Sequence, residues 1–228
     1  MKRSGIPARR LALAGAIALA WVWLPAPAQG GSLQGRVIVL EAGDGEFAEL
    51  DDPSNAVIFV SGFREPPPAD GGKKLRQKNK SFSQRVLAVS QGESVAFPNM
   101  DSIHHNVWSR SKAKSFDLGL FKFPEHKTVT FEKPGMVTVF CNIHAKMIAT
   151  ILVLPNTKHA ITDASGAYRI DGIPDGEYPV YAWVEGARPQ KRMVRFEAGK
   201  TTELNFRLIL KRIPLRHLNK EGRPYKEY

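Results

Sequence analysis

The chain has 228 residues, of which 43% are hydrophobic and 24% charged, and its formal net charge is +11. This composition excludes a collagen-like or disordered chain, and the lack of long apolar runs after the first 28 residues excludes a membrane protein with several spans. A single cysteine excludes a disulfide framework, a four-cysteine zinc site and an iron–sulfur cluster bound by cysteines alone.

The first 28 residues have the features of a signal peptide. Four basic residues among the first ten precede an apolar run at residues 11–24, and small residues at 25–28 offer cleavage after Ala28. The apolar run is shorter than the roughly 20 residues that a membrane span needs. We therefore expect export to the periplasm, or secretion, with no transmembrane span in the mature chain; an uncleaved anchor is the alternative.

The mature chain shows almost no helical periodicity. Short apolar runs alternate instead with Gly, Pro, Asp and Asn, which predicts an all-β fold. Eight strands are predicted before residue 155, at residues 33–40, 56–60, 85–89, 94–97, 106–109, 128–131, 136–140 and 147–154.

Two stretches between these strands are predicted as loops. Residues 66–80 hold three prolines followed by five basic residues, which indicates a solvated basic run. Residues 111–125 are expected to form a second loop. No nucleic-acid partner is expected for the basic run, because an exported protein seldom meets one.

After residue 154 the sequence pattern changes and predicts a second small β-sandwich. The segments T-D-A-S-G-A-Y-R-I at 162–170 and G-I-P-D-G-E-Y-P-V-Y-A-W at 172–183 combine β runs with tight turns. They resemble the carboxypeptidase-regulatory-like (prealbumin-like) domain. The resemblance implies a structural or interaction module without a catalytic site of its own.

The strongest functional signal is the loop C-N-I-H-A-K-M at 141–147, which follows a predicted strand. Cys141, His144 and Met147 therefore bring a thiolate, an imidazole and a thioether to one strand end. A further histidine, His104 or His105, stands at the head of another β run. Two His, one Cys and one Met are the ligand set of a blue-copper electron-transfer centre, with a trigonal His₂Cys plane and a weak axial Met.

The chemistry of these side chains favours copper over other metals. Thiolate and thioether favour Cu(I), while imidazole tolerates both oxidation states. Zinc normally takes a stronger fourth ligand than a thioether. A binuclear copper site needs a second cysteine, and a multicopper oxidase needs His-x-His pairs, which the sequence lacks.

At these residues the chain resembles the cupredoxins, in particular the plastocyanin and amicyanin type with a short ligand loop. The resemblance covers about residues 84–154 and includes H-N-V at 105–107, the Gly135 turn and the C-x-x-H-x-x-M loop. It implies a Greek-key sandwich that binds one copper ion per chain through His105, Cys141, His144 and Met147. It also implies hydrogen bonds from Asn106 that restrain the ligand loop.

The sequence thus predicts four segments. They are a signal peptide at 1–28, a cupredoxin-like domain with an N-terminal extension at 29–154, a carboxypeptidase-regulatory-like β-sandwich at 155–210 and a basic tail at 211–228. The tail is expected to be mobile at its end.

Strand alternation distinguishes the two adjacent histidines. His105 and Val107 share one face of their β run, whereas His104 lies on the other. Cys141 shares a face with the apolar Val137 and Val139, so its side chain is expected to point to the core. A ligand must point to the same interior, which selects His105; a bulge near residues 101–103 would select His104 instead.

These features predict a periplasmic electron carrier rather than an enzyme. The alternative is a copper-binding or copper-handling protein without redox turnover, docked by its C-terminal β module. Four lysines are expected around the copper end, at Lys112, Lys114, Lys122 and Lys146. An acidic redox partner would then be attracted to this end.

Overall fold

The computed structural model describes residues 30–43, 46–69, 72–211 and 219–225, and the regular structure among them is β-strand throughout. The all-β prediction is confirmed. Among these residues, no helix has the length and apolar character to cross a membrane. The predicted signal peptide lies outside the described residues.

Nineteen strands are present in the described part of the chain. The first ten are β1 (Gly31–Ala42), β2 (Phe47–Glu49), β3 (Val57–Val60), β4 (Lys73–Lys74), β5 (Gln77–Lys78), β6 (Ser81–Phe82), β7 (Val86–Ser90), β8 (Ser94–Pro98), β9 (His105–Arg110) and β10 (Ser115–Phe121). The others are β11 (His126–Thr130), β12 (Gly135–Phe140), β13 (Ile148–Leu154), β14 (His159–Ile161), β15 (Ala167–Ile173), β16 (Gly176–Trp183), β17 (Gln190–Phe196), β18 (Thr201–Glu203) and β19 (Phe206–Leu210).

The middle of the chain forms one sandwich, here called the central sandwich. One sheet has the strand order β10-β9-β12-β13-β7, and the facing sheet has the order β11-β8-β4. Their inner faces share one apolar core that includes Phe97, Phe131 and Ile151. Strand β12 alternates as the sequence predicts, with Val137 and Val139 buried and Met136 half exposed.

Strands β7 and β13 are buried along nearly their whole length, on both faces. They pair in parallel, from Thr150 opposite Val86 to Leu154 opposite Ser90. A strand covered on both faces has no reason to alternate, which explains the unbroken apolar run at residues 151–154.

The two ends of the chain form a second sandwich together, here called the split sandwich. Strand β1 pairs with β15 and β2 in antiparallel fashion and with β18 and β19 in parallel. The facing sheet has the order β14-β3-β16-β17. Strand pairing therefore assigns residues 31–60 to the split sandwich, in contrast to the predicted N-terminal extension of the cupredoxin-like domain. Local patterns predict these strands but carry no signal for partners more than 100 residues away.

The two sandwiches pack directly on one another. A small apolar cluster joins the outer face of β7 and β13 to β3 and β16, and it includes Val57, Ala88, Leu152 and Trp183. Beside it, Arg85 forms an ion pair with Glu185 at 2.8 Å. The sheet that carries the Cys141 strand is therefore braced on its outer side by the other sandwich.

The two predicted loops contain strands. Residues 115–121 form β10, which pairs with β9 and is interrupted by a register shift between Asp117 and Leu120. Gly119 in this shift has a φ of +67°, a conformation that glycine adopts without strain. The bulge interrupts the alternation of apolar and polar residues along β10, so the sequence pattern did not predict this strand. The basic run contributes the short strands β4 and β5.

Candidate metal centre

Neighbouring strands bring His105 and Cys141 to the same end of one sheet. Strands β9 and β12 are antiparallel, with Phe140 opposite Trp108. Because the strands run in opposite directions, the residues after Phe140 lie beside those before Trp108. His105, the first residue of β9, thus lies next to the loop that begins at Cys141.

That loop closes on itself through its backbone. The N–H of Cys141 donates to the carbonyl of Met147 at 3.1 Å, and the N–H of Met147 donates to the carbonyl of His144 at 3.0 Å. The N–H of Ile143 donates to Cys141 Sγ at 3.5 Å. These bonds form a tight turn that aims the thiol and the His144 ring into the same space.

Three of the four predicted ligands meet there. The potential ligand atoms of His105, Cys141 and His144 all lie within 4.8 Å of one another. Cys141 Sγ lies 3.7 Å from His144 Nδ1. His105 and Cys141 are fully buried, whereas the ring of His144 is partly exposed. Met147, at the end of the same loop, is also fully buried.

His104 is exposed and does not belong to this group. Strand β9 is buried from His105 to Ser109 on both faces, and the register shift in its pairing with β10 lies on β10, between Asp117 and Leu120. The structure therefore brings His105, and not its neighbour, to Cys141.

Asp101 is a functional neighbour that the sequence reasoning missed. Its Oδ2 lies 2.8 Å from His105 Nε2, and its two oxygens also accept the backbone N–H groups of Asn79 and Lys80. Burial alone would raise the pKa of Asp101, but these hydrogen bonds lower it to about 2. An ionised Asp101 holds the His105 proton on Nε2, which leaves Nδ1 free to bind a metal. The only sequence signal was an aspartate four residues before the histidine.

The three groups of this cluster shift one another's pKa values. Burial opposes charge on His105, but hydrogen bonds to Cys141 and Asp101 outweigh it and raise the pKa of His105. Burial likewise opposes the Cys141 thiolate, yet His105 and the backbone N–H groups of Asn106, Ile143 and His144 lower the pKa of Cys141. Burial and the nearby charges of His105 and Lys80 lower the pKa of His144. The site thus stabilises a thiolate beside nitrogen donors.

Asn106 contacts the ligand loop through its main chain and β10 through its side chain. Its side-chain amide donates to Asp117 Oδ1 at 2.7 Å and to the carbonyl of Gly119 at 3.1 Å, both on β10 rather than on the ligand loop. Its backbone N–H, in contrast, is one of the donors to Cys141. The residue therefore ties β9 to β10 with its side chain and supports the thiolate with its main chain.

The basic residues around the site differ in part from those predicted. Lys146 and Lys80 line one cleft with His144, and Lys122 follows Phe121, which pairs with His105. Lys112 and Lys114 lie in the turn between β9 and β10, at the far end of the sheet from His105. The sequence did not predict Lys80 at this site, because no local pattern indicates that the basic run folds beside the ligand loop.

Part of the predicted basic tail is also at the site. Residues 212–218 and 226–228 lie outside the described residues, but residues 219–225 pack against the beginning of the ligand loop. In this part the tail is ordered by contacts with the central sandwich, which a polar composition does not reveal.

The donor set fits a copper ion. The Nδ1 atoms of two imidazoles converge with a thiol whose pKa is lowered by its hydrogen bonds, and a buried thioether closes the same loop. Two unprotonated ring nitrogens in such close approach repel one another unless a cation or a proton lies between them. Soft sulfur together with imidazole is the combination that copper prefers.

The comparisons with known proteins concern the two sandwiches separately. Residues 147–209 match the carboxypeptidase regulatory-like domain. The match confirms the resemblance that the sequence of this segment shows. The match starts at Met147, eight residues before the predicted boundary, although β13 pairs within the central sandwich. No curated protein matches this chain in sequence.

Several solved structures are similar to part of the chain. One is the Cu-containing nitrite reductase NirK from Thermus scotoductus SA-01, with 24% identity and a TM-score of 0.35 over 39% of this chain and 25% of that one. A mutant of amicyanin in the reduced Cu(I) form has 20% identity and a TM-score of 0.35 over 42% of this chain and 97% of that one. A purple cupredoxin from Nitrosopumilus maritimus has 21% identity and a TM-score of 0.32 over 37% of this chain and 99% of that one. The chain thus spans about a quarter of the nitrite reductase.

Proposed function

We propose that this protein is a periplasmic electron carrier that binds one copper ion through His105, Cys141, His144 and Met147. The observation that carries the proposal is the convergence of two imidazoles and a thiol within 4.8 Å, in a loop closed by a buried methionine. Copper bound by such donors supplies a one-electron Cu(II)/Cu(I) couple. The protein's part is to hold these donors and to transfer the electron, without a catalytic site of its own.

The β scaffold supports this function by restricting movement. His105 lies on a strand within a five-stranded sheet, and the Cys141 loop is bonded to itself at both ends. Asp101 fixes one ring nitrogen of His105, so the ring keeps its orientation. Donors that do not move when the charge of the site changes make electron transfer fast, because little rearrangement is needed.

His144 is the proposed route for the electron. It is the one ligand of the described site that reaches the surface, where it lines a cleft with Ile103, Ile143 and Ala145. Ile103 is 40% exposed, so the cleft has an apolar rim. A partner that covers this rim would bring its own redox centre close to the ring edge.

The proposed partner is an acidic redox protein. Lys80 and Lys146 flank His144, and Lys122 lies at the same end of the sheet. Charges of one sign around a contact site accelerate the approach of an oppositely charged protein, and salt screens the effect. The association rate should therefore fall steeply as salt rises, and a rate indifferent to ionic strength would contradict the charged docking face.

The decisive experiment is a visible spectrum of the mature protein with and without added Cu(II), together with metal analysis. We expect one copper per chain and intense absorption from charge transfer between the Cys141 thiolate and copper. Cys141→Ser should abolish the colour even if some metal stays bound, and a variant that remains blue would contradict the site. A colourless wild-type protein that binds Cu(I) and releases it readily would instead favour the copper-handling function.

A further inference from the structure

Residues 219–225, here called the C-terminal strap, form a small folded unit on the Cys141 side of the site. Asn219 organises the strap, since its Oδ1 accepts the backbone N–H groups of Glu221 and Arg223, at 3.1 and 2.8 Å. The backbone N–H of Asn219 also donates to the carbonyl of Arg223 at 2.9 Å. The strap is thus a closed turn that presents its last residue, Tyr225, to the central sandwich.

Two contacts of the strap fall on the first residues of the ligand loop. The hydroxyl of Tyr225 donates to the carbonyl oxygen of Cys141 at 2.7 Å, and the N–H of Lys220 donates to Asn142 Oδ1 at 2.8 Å. The N–H of Cys141 is already bonded to Met147 within the loop. Tyr225 therefore completes the hydrogen bonding of the Cys141 backbone, with its ring half-buried.

Two further contacts anchor the strap on β9 and β10. Arg110 donates to the carbonyl of Lys220 at 2.5 Å, and the Lys220 ammonium pairs with Asp117 at 3.0 Å. Asp117 in turn accepts the side-chain amide of Asn106, whose backbone N–H supports the Cys141 thiolate. The strap thus contacts the Cys141 backbone through Tyr225. It also contacts β9, the strand whose Asn106 N–H donates to the Cys141 sulfur.

We propose that Tyr225 is a positioning residue for Cys141, and that the C-terminal strap is part of the metal centre. Held by Tyr225, the peptide between Cys141 and Asn142 keeps the orientation in which the Ile143 N–H reaches the sulfur. The strap lines one cleft with Asn142 and Ile143, and Cys141 is fully buried, so reagents reach the thiol only when the loop that Tyr225 holds opens. The effect on bound copper rests on the proposed function, but the effect on the thiol does not.

The first test uses the full chain without metal. Cys141 is fully buried, so its reaction with a disulfide reagent such as DTNB measures how often the loop opens. Loss of one hydrogen bond costs about 0.5 to 1.5 kcal/mol, so Tyr225→Phe should accelerate the reaction about 2- to 10-fold. Tyr178→Phe is the matched control, because that hydroxyl also donates to a backbone carbonyl, but in the split sandwich; it should leave the rate unchanged.

The second test uses the copper-loaded protein. Tyr225→Phe should shift the charge-transfer band and accelerate the transfer of copper to a chelator, whereas Tyr178→Phe should do neither. Lys220→Met, which removes the ion pair to Asp117 and keeps the ring of Tyr225, should give a smaller change of the same sign.

The outcomes separate the two proposals. A wild-type protein that binds no copper would refute the proposed function, while faster thiol reaction in Tyr225→Phe would still support the strap. Wild-type thiol reactivity in both Tyr225→Phe and Lys220→Met would overturn the strap, whatever the metal content. An unchanged spectrum in a copper-loaded Tyr225→Phe protein would overturn the positioning role of Tyr225.

Discussion

The Nδ1 atoms of His105 and His144 lie 3.1 Å apart, and the two rings meet edge-on at an interplanar angle of 67°. One ring is held by a strand and by Asp101, the other by the ligand loop. Two ring nitrogens so close together are expected to share a cation, because their lone pairs repel otherwise. Strand β9 and the ligand loop thus hold the two histidine rings at a distance that favours metal binding.

The first prediction concerns the two adjacent histidines. His105→Gly should bleach or distort the copper spectrum, because His105 is buried beside Cys141, and added imidazole should partly restore the colour. His104→Ala should leave the spectrum nearly intact, since His104 is exposed. The measurement is a copper titration followed in the visible range. The opposite pattern, with His104 essential, would show that His105 is not the ligand.

Met147 is expected to tune the reduction potential rather than create the site, because an axial thioether bond is long and weak. Met147→Leu should keep the colour and raise the potential, since an apolar position disfavours Cu(II). Voltammetry of the purified variant measures the change. Met136→Leu, on the half-exposed face of β12, is the control and should leave the potential unchanged. Complete loss of copper binding in Met147→Leu would show that the methionine has another role.

Asp101 should lower the potential through His105. Its carboxylate accepts from His105 Nε2, and its negative charge favours the higher oxidation state of a metal on the opposite nitrogen. Asp101→Asn should therefore raise the potential while copper still binds. Asp163→Asn, in a turn of the split sandwich, removes an aspartate that also accepts backbone N–H groups, and it serves as the control. Equal potentials in both variants would mean that the Asp101 charge does not reach the metal.

Acid stability should depend on His159, the first residue of β14, which pairs with Phe59 of β3 and lies 3.5 Å from the Lys73 ammonium of the central sandwich. Burial and the nearby Lys73 charge lower the pKa of His159 from 6.5 to about 4. The folded protein therefore keeps this ring neutral at pH values where the unfolded chain binds a proton. The stabilisation is complete above pH 6.5, and between pH 6.5 and 4 it falls by about 1.4 kcal/mol per pH unit.

Urea unfolding at several pH values measures this loss. His159→Gln should make the free energy of unfolding less dependent on pH in that range. His126→Gln, which changes an exposed histidine, should retain the wild-type dependence. A His159→Gln protein with the wild-type slope would show that other groups cause the acid sensitivity.

The local parts of the site could be predicted from sequence, and the distant parts could not. The Cys141–Met147 spacing defines one tight loop, and strand alternation together with the H-N-V order at 105–107 distinguishes His105 from His104. Lys80 and Tyr225, in contrast, reach the site from segments that no local pattern connects to it. Tyr225 lies 84 residues from Cys141, and a polar tail gives no indication of where it packs.

The same distinction holds for the fold. Most strand positions were predicted, because apolar runs and turn residues are local signals. The turn at 163–166 is an example, since the Asp163 carboxylate accepts the N–H of Ser165 and Gly166 adopts a φ of +79°. The pairing of β1 with β19, from Val37 opposite Phe206 onward, joins segments 169 residues apart, and no local signal in the sequence indicates it.

The chain order of the two sandwiches has a consequence for biogenesis. The central sandwich is continuous, so its ligands come from residues close together in the chain, whereas β1 finds a local partner only in β2 and pairs with β19 over a separation of 169 residues. The strap follows both sandwiches in the chain. Until the strap packs, the ligand loop lacks the Tyr225 hydrogen bond, and a Cys141 thiolate exposed by loop opening would be oxidised to sulfenic acid and beyond. Pulsed alkylation during refolding should therefore reveal two stages of Cys141 protection, the second of which disappears in Tyr225→Phe.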